Sequence, residues 1–112
     1  MESFDGRKFY LEQLQFLKQN KTDELIDAHY HDDAVLVSFG KTVRGKEALK
    51  RHFRAYIQNL SPLVVKSTDK FTSTEDTIFL EATVESARGQ ARVYDAFVLS
   101  DGKITHHFTG VI

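Results

Sequence analysis

The chain has 112 residues, with 15 Lys plus Arg against 16 Asp plus Glu and a net charge of -1. That is room for one domain, expected to span residues 1–112, and the lack of surplus cations argues against nucleic acid as a partner. The absence of cysteine excludes disulfides, a thiolate nucleophile and Cys-ligated metals. Apolar runs no longer than those at 34–37 and 96–99 exclude a membrane span, so a soluble cytoplasmic protein is the expectation.

The first half reads as helical. Tyr10, Leu14 and Leu17 recur at i, i+4, i+7 with Leu11 beside them, while Glu12, Gln13, Gln15 and Lys18 fill the other side. Thr22 offers an N-cap hydroxyl to a second, shorter helix that begins with Asp23 and Glu24 and turns Leu25, Ile26, His29 and Tyr30 inward. Asp32-Asp33 breaks that pattern, and the β-branched and aromatic run at 34–39 predicts a strand that turns at Gly40. Gly45 precedes a third helix in which Leu49, Phe53, Tyr56, Ile57 and Leu60 recur at helical spacing until Ser61-Pro62 ends it.

Everything beyond Pro62 reads as strand, over about 63–74, 77–87, 91–99 and 104–112, with a hairpin loop at 100–103. Three helices followed by consecutive strands predict an α+β fold in which the helices cover one face of a bent antiparallel sheet.

Four segments in this order resemble the NTF2-like superfamily, in its SnoaL-like, ketosteroid-isomerase-like branch. They are Tyr30-His31-Asp32-Asp33-Ala34, Arg44-Gly45-Lys46-Glu47-Ala48-Leu49, Asp95-Ala96-Phe97 and Asp101-Gly102-Lys103-Ile104. The resemblance implies a cone-shaped, cystatin-like fold with three N-terminal helices on a strongly bent antiparallel sheet. It further implies a mostly apolar pocket and a homodimer through the outer sheet face. No single reaction follows, because one fold hosts isomerases, cyclases, dehydratases and non-catalytic binders. The general base of steroid isomerases of this fold aligns with Ser38, their oxyanion-hole Tyr with Leu14, and the acid/base Asp of the cyclases with Thr109. None of the three positions carries the family's group.

Asp95 matches the carboxyl that such isomerases keep in an apolar pocket, and it alternates with Val93, Phe97 and Leu99, which places it on an apolar face where it needs a partner. A three-residue hairpin loop with a bulge at Gly102 would pair Asp95 with His107. A two-residue loop would set it opposite Phe108 and turn His107 to the other face. Asp95 and His107 are therefore the candidate catalytic pair, with His107 as base or acid and Asp95 orienting or donating. The candidate pocket comprises Leu14, Leu17, Tyr30, Ser38, Phe53, Tyr56, Phe97 and Thr109, and its expected ligand is an apolar small molecule bound without a cofactor. The competing reading is a non-catalytic binding or dimer-scaffold protein in which Asp95 and His107 are structural.

No metal is expected, since neither His29/His31 nor His106/His107 has chelating geometry on its own element. Lys46, Lys50 and Arg54 form a basic stripe at i, i+4, i+8, which reads as a solvated helix face. Under the bulged register Tyr94, Ala96, Val98, His106 and Phe108 point outward and form the expected dimer face.

Overall fold

A computed structural model describes residues 4–112. Three helices, α1 (Gly6–Lys18), α2 (Thr22–His29) and α3 (Lys46–Leu60), cover one face of an open six-stranded sheet. Its strands are β1 (Tyr30–Ser38), β2 (Lys41–Arg44), β3 (Val64–Ser73), β4 (Thr77–Ser86), β5 (Gly89–Ser100) and β6 (Lys103–Val111), in the spatial order β2-β1-β6-β5-β4-β3. The α+β layering follows the sequence pattern, but the sheet is mixed, not antiparallel throughout. β1 runs parallel to β6 because the chain crosses the helical layer and the whole β3–β6 meander before returning beside it.

Local chemistry explains most boundaries. Asp5 caps α1, its side chain accepting from the Lys8 backbone N–H at 3.1 Å. Thr22, expected as the cap of α2, is instead its first residue and is buried; Lys21 occupies the cap position and makes no side-chain bond there. Gly45 starts α3 at φ 88, ψ 153, a region open essentially to glycine alone. β1 begins at Tyr30, earlier than the Asp-Asp pair suggested. The strand absorbs that pair as an irregularity between Tyr30 and Val35, leaving both carboxylates exposed, with Asp32 reaching Lys46 at 3.3 Å. It ends at Ser38, and the four-residue hairpin partner β2 carries too little apolar periodicity to be read from sequence.

The inward rows of the sheet and the helices meet in one core, in which Ile26, Leu49, Ile78 and Ile104 are fully buried. Each contributes about 1.5–3 kcal/mol relative to exposure. On α1 the buried stripe runs through Phe9, Tyr10 and Gln13, with Leu14, Phe16 and Leu17 partly buried beside it, while Leu11 is 55% exposed. The face expected from the leucines is thus rotated, because Phe9 and Phe16 dock on α2 and carry Gln13 inward with them. The basic stripe of α3 is not free in solvent. Arg54 makes a two-pronged bond to Asp23 at 2.9 and 2.8 Å, and Lys50 reaches Asp27 at 2.8 Å, so acids spaced i, i+4 on α2 meet bases spaced i, i+4 on α3.

His29 closes the junction of α1 and α2. It stacks on Phe9 at 3.8 Å, bonds Glu12 through Nε2 at 3.2 Å, and leaves Nδ1 buried without a partner among the described residues. Desolvation lowers its pKa, only partly opposed by Glu12. A histidine whose folded pKa lies below its unfolded value of about 6.5 takes up a proton first in the unfolded chain. Its contribution is therefore complete above about pH 6.5 and is lost as the pH falls toward the lower folded value. Urea midpoints at pH 7.5 and 5.5 are expected to differ more in the parent than in His29→Phe; equal acid sensitivity of the two proteins would contradict this account.

Candidate functional site

Between the helices and the sheet lies a cavity of about 150 Å³. α1 contributes Tyr10, Gln13, Leu14 and Leu17, and α3 contributes His52, Phe53, Tyr56 and Ile57. The inward rows of the sheet, including Leu36, Leu80, Asp95, Phe97, His107 and Thr109, close the other side. Strand alternation delivers these residues together: β5 turns Val93, Asp95 and Phe97 to the cavity, and β6 turns His107 and Thr109.

The register that aligns them differs from both alternatives considered above. Asp101 (φ 53) and Gly102 (φ 75) form a two-residue turn pairing Ser100 with Lys103 and Leu99 with Ile104. An extra residue on β6, Thr105, then shifts the ladder so that Val98 pairs with His106, Phe97 with His107 and Asp95 with Thr109. The bulge thus lies two residues past the pair that closes the turn, not within the turn. Parity is preserved, so Asp95 and His107 share the inward face as diagonal neighbours, and His107 Nε2 lies 2.7 Å from Asp95 Oδ1.

A second bond completes a chain of three. The Tyr30 hydroxyl lies 2.9 Å from His107 Nδ1. With Asp95 ionised, one neutral tautomer satisfies every partner: Tyr30 O–H donates to Nδ1, and Nε2–H donates to Asp95. The imidazole is only 5% exposed and is packed by the Phe97 ring at 4.4 Å and the Phe53 ring at 6.2 Å. Both its nitrogens are occupied. Asp95 is different: its side chain is 25% exposed, and Oδ2 has no hydrogen-bond partner among the described residues.

Burial raises the pKa of Tyr30 well above the ordinary phenol value, and the Asp95 carboxylate adds to the shift. Tyr56 is raised by the same two causes in the same order. Tyr10 is raised by burial although its bond to Thr68 Oγ1 at 2.8 Å opposes the change. The phenols around the carboxylate therefore stay protonated. His52, at the edge of the cavity, is lowered first by burial and then by Lys41 and His107.

Of the residues anticipated in the site, Leu14, Leu17, Tyr30, Phe53, Tyr56, Asp95, Phe97, His107 and Thr109 all line the cavity. Ser38 does not. Leu36 is the last β1 residue on the wall, and Ser38 lies beyond it at the β1–β2 turn, where its hydroxyl donates to the Lys41 carbonyl at 3.1 Å. Thr109 directs its hydroxyl to the Tyr94 carbonyl at 3.2 Å, so the residue at the cyclases' acid/base position serves the backbone. Tyr10 and Gln13 are polar wall residues that the sequence reading left out. Tyr10 already stands on the inward stripe of the predicted helix; a face centred on Phe9 and Phe16, in place of Leu11, would have found Gln13. Among the described residues no three His, Cys, Asp or Glu side chains are placed to hold a metal ion, and no helix is long and apolar enough to cross a membrane.

Three helices on an open mixed sheet, with an apolar cavity between the layers, define an NTF2-like α+β protein. The family model described as the SnoaL-like domain matches residues 11–107, and the chain belongs to that family. Solved structures agree on the fold. An NTF2-like protein from Anabaena variabilis superposes with a TM-score of 0.78 at 20% identity, covering 100% of this chain and 95% of its own. A Sinorhizobium meliloti protein provisionally assigned as a polyketide cyclase gives 0.79 at 21% identity, covering 92% and 94%. TerC, co-crystallised with polyporic acid, gives 0.77 at 16% identity, covering 94% and 89%. No curated protein sequence matches this chain.

Tyr30→Phe removes the donor to His107 Nδ1 and leaves that nitrogen buried without a partner. The expected loss of stability is about 1–3 kcal/mol by urea unfolding. An unchanged midpoint would mean that the Tyr30–His107 bond contributes nothing.

Proposed function

We propose that this SnoaL-like protein binds an apolar small molecule in the cavity and moves a proton on it without a cofactor, as an isomerase, cyclase or dehydratase does. The observation that carries the reading is the free Oδ2 of Asp95, a carboxylate oxygen of a cavity-lining residue that has no protein partner while its twin is held by His107. In this scheme Asp95 is the base. It takes a proton from a carbon beside a carbonyl, or from a hydroxyl, and the carboxylic acid so formed returns it elsewhere on the same molecule. No oxidant, reductant or second substrate is required. His107 does not exchange protons with the substrate, since both ring nitrogens are engaged; it is a positioning residue, held in turn by Tyr30. The roles expected from the sequence are thereby exchanged.

Apolar carbonyl and hydroxyl compounds, screened by thermal shift and then for turnover, test this directly. Asp95→Asn is expected to lower turnover of any substrate found by about 10²–10⁴-fold while retaining binding. Parent-like turnover in Asp95→Asn would refute the assignment of the base, and parent-like turnover in His107→Ala would refute the positioning role. The same closed hydrogen-bond chain favours a second reading, a non-catalytic binder in which the triad only shapes the wall. Ligands that bind the parent and are never converted would select it.

A homodimer through the outer sheet face is the accompanying proposal. Phe79, Ala96, Phe108 and Val37 form one row across β4, β5, β6 and β1 on the face opposite the cavity. Phe79, Val98 and Phe108 there are 46%, 37% and 39% exposed. Placing a second copy on this row would remove the aromatic surface from water. Sedimentation of the parent is expected at twice the 12.8 kDa of one chain, and of Phe108→Lys at a single chain; a monomeric parent would rule the dimer out.

A further inference from the structure

The polar groups of the cavity wall fall into two sets. Tyr10, Tyr30, His107, Thr109 and one oxygen of Asp95 have protein partners. Tyr56, 41% exposed at the rim, and His52, half-buried at the edge, have no protein hydrogen bond but meet solvent. Gln13 lines the cavity and is 5% exposed, and its amide makes no hydrogen bond to any described residue. Buried polar groups are nearly always hydrogen-bonded. The Gln13 amide is not fully sealed, since Nδ1 of His29 is the one completely buried side-chain polar atom without a partner among the described residues; a ligand in the cavity that Gln13 lines could therefore reach the amide. The wall therefore offers two unfilled hydrogen-bonding groups: the carboxylate oxygen of Asp95 on β5, and on α1 an amide that both donates and accepts.

The size of the space bounds what can use them. A cavity of about 150 Å³ matches the volume that, lined by aliphatic and aromatic side chains, holds one benzene ring. The remaining wall is apolar, with Leu14, Leu17, Leu36, Leu80 and Phe97 among its members.

We propose that Gln13 is the second polar anchor of this cavity, and that the ligand is a single-ring organic molecule carrying two polar groups. One is a hydroxyl or acidic C–H directed at Asp95, and the other a carbonyl or hydroxyl held by the Gln13 amide. This inference rests on the reading of the cavity as a small-molecule site and adds to it the class of ligand and the residue that selects it.

The test uses the whole protein with 3- and 4-hydroxybenzaldehyde as two-group probes, phenol as the one-group probe and a four-ring steroid ketone as the large probe. Binding is measured by calorimetry and located by backbone amide shifts. At least one hydroxybenzaldehyde is expected to bind the parent about tenfold tighter than phenol, corresponding to one added hydrogen bond from a buried amide. Gln13→Leu and Gln13→Met, which keep an apolar side chain of similar length, are expected to erase that preference, so that each hydroxybenzaldehyde binds the variant no tighter than phenol binds the same variant. A role in folding alone would weaken all probes together and leave the preference in place. If the variants keep the preference, or if the parent has none, Gln13 is not an anchor, although the cavity still binds small molecules. Tighter binding of the steroid than of every single-ring probe would overturn the size assignment. If no probe binds the parent, or shifts appear only away from the cavity, the small-molecule reading falls as well.

Discussion

The hydrogen bond between Tyr30 and His107 joins residues 77 positions apart and ties the layers of the fold together. Tyr30 is the residue at which α2 becomes β1, and His107 lies in the middle of β6, the strand that β1 joins in parallel. The bond thus locks the exit of the helical layer to the centre of the sheet. The Asp95 carboxylate, the Phe53 and Phe97 rings and the inward face of β6 all take their places relative to that imidazole. A phenol with a raised pKa at one end and a carboxylate at the other give the chain a direction, with donors pointing from the helix junction toward the cavity.

Much of this arrangement is legible in the amino-acid sequence. The i, i+4 recurrence through Leu49, Phe53 and Ile57 located α3, and the alternation of Ile78, Leu80 and Ala82 located β4 and its inward face. Asp95 stood out as a carboxylate in phase with apolar neighbours, and shared parity was enough to place His107 on the same face. The register itself was not legible, because the insertion at Thr105 lies on the far side of a turn whose own sequence fits a regular two-residue hairpin. The bulge moves the inward row from Ile104 to His107, and because residues 105–107 are all polar the step leaves no mark in hydrophobic periodicity.

Other misreadings share a cause: they depend on what a surface meets. Nothing within α1 says that Phe9 and Phe16 will be claimed by His29, and that claim is what rotates Gln13 inward and Leu11 out. Nothing within α3 says that its lysines and Arg54 will find acids at matching spacing on α2. Ser38 had the right parity for the wall and failed only on length, because β1 outruns the cavity by one inward position.

The outermost strand carries a different consequence. β3 holds one extra residue near Lys66 and another near Asp69 relative to β4, so its inward positions Val65, Thr68 and Phe71 recur every third residue. Asp69 pins the second irregularity by accepting from Ser67 and Thr83, each at 2.7 Å. A strand with that rhythm presents its free backbone groups out of step with any ordinary strand laid beside it, and the opposite edge, β2, is only four residues long. Both edges are therefore poor templates for an added strand, and ribbon-like extension into fibres is disfavoured by the edges themselves.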